Sequence, residues 1–147
     1  MPAEGRSAMI AIETHLTLWI ATAVGAYMLA AGLGGAIERS RWSEIIRELR
    51  HSPGLTFLAG VVTFSLGAVI VMVHNDWSSV LSGFVSLMGW AAVIEGLILL
   101  AFPKLLLDLS ERLMTPYLVN AFIAFAIVLG GLLVLLGLTG TVEGAGQ

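Results

Sequence analysis

The chain has 147 residues, 58% of them hydrophobic and 12% charged, with a mean hydropathy of +0.96. A soluble domain is about half apolar and about a quarter charged, so this balance points to a membrane protein. The net charge of −3 includes no basic run for nucleic acid, and the lack of cysteine excludes disulfides, thiolate chemistry and Cys-based metal or haem sites.

The opening segment, residues 1–15, is polar and is expected to be extracytoplasmic. Apolar runs of about 20 residues mark transmembrane helices. Four such runs are expected, over residues 16–37, 55–73, 80–102 and 117–138, with a short tail at 141–147. The first is too long for a signal-peptide core, and its basic flank follows it in a stop-transfer pattern.

The connections between spans differ in character. In RSRWSEIIRELRH, Trp42, Ile45, Ile46 and Leu49 recur at helical spacing, while Arg41, Glu44, Arg47 and Glu48 take the other side. This pattern predicts an amphipathic helix in the headgroup layer. In KLLLDLSERLM, Leu105, Leu106, Leu109 and Leu113 form one face, and Lys104, Asp108 and Arg112 form the other at spacings that suit weak ion pairs. Pro53 and Pro116 break the chain before the next span. The second connection, HNDWSS, has no basic residue and reads as a solvated turn capping the third span, with Asp76 or Ser78 as N-cap.

Arg39, Arg41, Arg47 and Arg50 in the first connection, and Lys104 and Arg112 in the third, place both on the cytoplasmic side by the positive-inside rule. Both termini are then outside, with Arg6 the single vote against. Trp19, Trp42 and Trp77 lie near span ends, as interfacial indoles do, and Trp90 lies within a span. His15 and His51 read as interface residues.

A shift of 63 positions lays Arg41 on Lys104, Glu48 on Glu111, Pro53 on Pro116, Gly67 on Gly130 and Tyr27 on Trp90. Each half reads as span, amphipathic helix, proline, span, over residues 16–76 and 77–140. The expectation is an all-α, four-helix transmembrane bundle built from two duplicated units of the same orientation.

The second half carries Glu95-Gly96-Leu97, then Phe102-Pro103-Lys104, then the amphipathic linker and a glycine-containing last span. In this order it resembles the YjeT-like family of small two-span bacterial inner-membrane proteins, over roughly a third of the chain. The linker here is less basic than the family's, and the first half has Gly32 where Glu95 would align at that shift. The resemblance implies a bacterial inner (plasma) membrane setting and no particular reaction.

Glu95 is the polar residue that most needs explaining. A carboxylate within a span costs a few kcal/mol, so it is expected to face protein or water. It lies roughly 12 Å from the end of its span at about 1.5 Å per residue. Its helix face (Trp77, Phe84, Met88, Ala91, Leu99 and Phe102) is apolar, and Ser78, Ser82 and Ser86 point largely the other way. Thr63, Tyr27 and Asn120 are the polar groups at reachable depth, so a protonated Glu95 is expected to hydrogen-bond one of them and lock the bundle. Small residues at Ala30, Gly34, Ala31, Gly35, Gly67 and Gly130 are expected at helix-packing seams. No catalytic, cofactor or metal motif is visible.

Together these features point to a non-catalytic accessory or scaffold subunit that docks to a membrane-protein partner or to copies of itself. The alternative is a small oligomeric ion- or proton-coupled transporter or channel using Glu95.

Overall fold

The computed structural model describes the backbone of residues 3–140, with side chains from His15 to Gly140. The side chains of residues 1–14, and all of the expected tail at 141–147, lie outside the described residues. Among the described residues six helices follow in order: α1 (Ala3–Ile37), α2 (Arg41–His51), α3 (Pro53–Val73), α4 (Val80–Ala101), α5 (Pro103–Leu113) and α6 (Pro116–Thr139). Among the described residues there is no strand. Stretches His15–Ile37, Pro53–Val73, Val80–Ala101 and Pro116–Thr139 are long and apolar enough to cross a membrane. The chain is an all-α, multi-pass membrane protein.

The helix ends follow local chemistry. Pro53, Pro103 and Pro116 open α3, α5 and α6, where the missing N–H costs nothing. Proline thus starts these helices rather than merely ending their predecessors. Thr115 caps α6 by accepting from the Leu118 N–H. Gly140 ends α6 at φ 67°, the left-handed conformation that glycine adopts without strain.

Two helix pairs make up the membrane body. α1 packs along α6, and α3 packs along α4; the pairs meet chiefly where α1 touches α4. Ala21 of α1 and Val85 of α4 form the centre of that junction with Leu133 of α6. The main partner of each span therefore comes from the other half of the chain, so the packing crosses the boundary between the two units read from sequence.

Lipid tails are as apolar as leucine, so close van der Waals packing must supply most of the association between spans. Glycines provide it. A Cβ on Gly67 would lie 2.5 Å from the Val93 nitrogen and 2.8 Å from the Gly89 oxygen. One on Gly130 would lie 2.8 Å from both the Gly25 oxygen and the Leu29 nitrogen. Backbone thus rests on backbone in both pairs. The two contacts correspond when α3 is matched to α6 at a shift of 63 and α1 to α4 at a shift of 64. The same shifts match Gly32 against Ile127 with Gly96 against Phe64. At this register Ala31, not Gly32, is the counterpart of Glu95.

Candidate functional site

Glu95 belongs to α4, whose orientation is fixed by its partner α3. Gly96 is buried because its Cα presses on the backbone of Phe64, and Leu99 is buried against Gly60. Neighbouring residues on a helix point about 100° apart. Seating Gly96 on α3 therefore turns Glu95 off that seam and onto the outer surface. It is exposed there with Leu87, Ala91, Ile94 and Phe102. Leu99, placed on the same face by sequence, instead lies at its buried edge.

The expected hydrogen bond that would lock the bundle does not form. Thr63 is half-buried on α3, Tyr27 is 71% exposed on α1, and Asn120 is exposed at the start of the second turn of α6. The structure does not bring these three together. Among the described residues none of them, and no cation, bonds the Glu95 carboxylate.

Ala30 is exposed, Ala31 and Gly34 are half-buried, and Gly35, Gly67 and Gly130 are buried at helix contacts. Sequence reasoning missed Gly25, Gly89 and Gly96, which pack equally closely, and Gly60, which rests on the side chains of Leu99 and Leu100. A matched search for glycines one residue off the assumed register would have found Gly25 with Gly89 and Gly32 with Gly96.

At the end opposite α2 and α5, the HNDWSS connection folds back as a polar cap. Ser79, rather than Asp76 or Ser78, is the N-cap of α4, in a reciprocal capping box with Ser82. Asp76 instead braces the turn, accepting from the Ser78 hydroxyl at 2.7 Å and the Ser78 N–H at 3.0 Å. The Ser78 hydroxyl is the main cause of an Asp76 pKa below its ordinary value; partial burial opposes it, and the Ser78 N–H, Ser82 and His74 reinforce it. The buried Ser86 hydroxyl donates to the Asp76 carbonyl at 2.7 Å, and His74, only 4% exposed, has its Nε2 3.4 Å from the Ser82 carbonyl. The Asn75 side-chain oxygen accepts from the indoles of Trp77 and Trp90, at 3.1 and 3.4 Å. The connection is therefore a turn exposed at Asn75, Trp77 and Ser78, as expected, but organised by these hydrogen bonds and buried at His74. Among the described residues no group of three His, Asp or Glu side chains could hold a metal ion.

At the other end, α2 and α5 are clamped together. Arg50 bridges Asp108 and Glu111 at 2.7 Å each, and its pKa is raised chiefly by the hydrogen bond to Asp108. Asp108 is thus used across helices rather than in the expected pairs along α5. The residue of α5 that turns inward is Leu107, 6% exposed, whereas Leu105, Leu109 and Leu113 face outward. Trp42 anchors α2 by laying its indole on Gly35 of α1. His51 shares a 2.7 Å hydrogen bond with the Arg47 carbonyl at the end of α2. Arg39, Arg41 and Arg47 are exposed and make no ion pair among the described residues.

Comparison with protein-family models, with curated proteins and with solved structures gives no match.

Proposed function

We propose that the protein is a non-catalytic subunit of a bacterial inner membrane that docks onto a partner membrane protein through the outer face of α4. The observation that carries this reading is Glu95, a carboxylate exposed within a span and without a partner among the described residues. Leaving it in hydrocarbon costs a few kcal/mol, and a partner helix offering a polar or cationic group at that depth removes the cost. Ala91, one turn away on the same face, leaves room for close approach. The setting agrees with the resemblance of the second half to the YjeT-like family. The positive-inside count puts α2 and α5 on the cytoplasmic side and both termini outside. The matched glycine contacts of α1·α6 and α3·α4 support an origin by duplication, with Glu95 present in one copy.

Photo-crosslinking from position 91 of α4 in intact membranes tests the docking reading. The expected result is a discrete adduct with another membrane protein, lost with Glu95→Leu and absent from the exposed α3 position Leu66. An oligomer in which Glu95 couples ion movement is the second reading, favoured by the same exposure. Proton or ion flux in liposomes that Glu95→Gln abolishes would replace the docking reading with it.

A further inference from the structure

A cavity of about 280 Å³ opens at the membrane end that carries α2 and α5. It lies where two corners of the chain meet: Arg39, Ser40 and Ser43, at and just after the α1–α2 corner, face Met114, Pro116, Val119 and Asn120 around the α5–α6 corner. The α1–α2 connection is three residues long, Glu38 to Ser40, whereas the corresponding α4–α5 connection is Phe102 alone. The longer corner carries Arg39 into the cavity wall. We propose that this cavity is a binding site for the phosphate group of an anionic phospholipid.

The lining divides by chemistry. Arg39 supplies a guanidinium, which grips phosphate oxygens through paired N–H donors. Asn120 adds a carboxamide donor and Ser40 a hydroxyl that makes no capping bond. Met114, Pro116 and Val119 form an apolar wall on the span side, suited to the glycerol and the start of an acyl chain. The volume is below the roughly 300–1,000 Å³ of sites that enclose a whole drug-sized ligand, which fits a headgroup whose tails remain in the bilayer.

Charge favours the same ligand. Arg50 on α2 is committed to Asp108 and Glu111, but Arg39 has no carboxylate partner among the described residues. Neither Glu38 nor Glu44, the nearest acids in sequence, lines the cavity. Basic pockets beside spans at a membrane surface are where anionic headgroups bind. The assignment also gives Asn120 a role: it faces this cavity rather than Glu95.

Native mass spectrometry of the purified protein in mild detergent, titrated with phosphatidylglycerol or phosphatidylcholine, tests the site. Retention of phosphatidylglycerol above phosphatidylcholine is expected, falling about fivefold with Arg39→Gln. Asn120→Leu should lower it as well, while Lys104→Gln, outside the cavity, leaves it unchanged. Arg39→Lys should restore part of the loss, and circular dichroism should give the same helix content for every variant because both residues are exposed. Equal retention of the two lipids, or equal retention by wild type and Arg39→Gln, would overturn the proposal. Inorganic phosphate displacing the lipid at equal concentration would overturn the lipid as the source and assign the site to free phosphate.

Discussion

Replacing Gly67 by alanine tests the backbone-to-backbone packing of α3 on α4. The added carbon would lie 2.5 Å from the Val93 nitrogen and 2.8 Å from the Gly89 oxygen, where ordinary contact begins near 3.4 Å. Both obstacles are backbone atoms, so no side-chain rotation relieves them, and the helices must separate by roughly 1 Å. A gap of about 0.5–1 Å forfeits a quarter to a half of each dispersion contact along the seam. The expected cost is about 1–3 kcal/mol, the range for overpacking a tight interior. Gly131 is the control, because a Cβ there meets nothing within 4 Å and alanine is the better helix former. Thermal unfolding in detergent, followed by helical circular dichroism, should lower the midpoint for Gly67→Ala and leave Gly131→Ala at or above wild type. Gly130→Ala should match Gly67→Ala, since its Cβ would lie 2.8 Å from two backbone atoms of α1. If Gly67→Ala and Gly131→Ala unfold together at the wild-type midpoint, α3 and α4 do not meet at this glycine and the pairing is wrong.

Further outcomes follow from the polar groups at the two ends. Ser86→Val should destabilise by about 1–3 kcal/mol in the same assay, because the buried Ser86 hydroxyl no longer donates to the Asp76 carbonyl. The lowered pKa of Asp76 means that its contribution is fully present above the unfolded carboxyl value of about 3.9 and is lost as pH falls through the lower folded value. Midpoints measured from pH 7 down to pH 3 should therefore drop at the acid end for wild type, with a smaller acid drop for Asp76→Asn. Arg50→Ala should leave helix content intact but raise amide hydrogen exchange in α2 and α5, which it joins through Asp108 and Glu111. Unchanged exchange would show that the clamp has no hold on these helices.

The spans were legible because a run of apolar residues long enough to cross a bilayer has few other uses. Their ends lie within two residues of the expected positions, apart from the start of α1 at Ala3. Which span packs on which was not legible, since lipid-facing and helix-facing positions are equally apolar and leave no periodic contrast. α5 shows the difficulty on a small scale: its leucines at 105, 109 and 113 make a regular face, yet Leu107 is the one that turns inward. The polar cap escaped for another reason. His74, Asp76 and Ser86 read singly as solvated turn or span residues, and only the fold-back of the connection gives each a partner. Glu95 was identified as the residue to explain, but its direction depends on the seating of Gly96 one position away.

Docking through α4 requires that Glu95 face out of its own bundle and be covered by another protein chain. A lipophilic carbodiimide, which reacts with protonated carboxyl groups exposed to lipid, measures both conditions in one comparison. The adduct at Glu95 is quantified by mass spectrometry in pure liposomes and in native membranes. Labelling is expected in liposomes of the purified protein, and protection in native membranes. No labelling in either would place the carboxyl inside the bundle, and equal labelling in both would leave it uncovered; each result contradicts docking through Glu95.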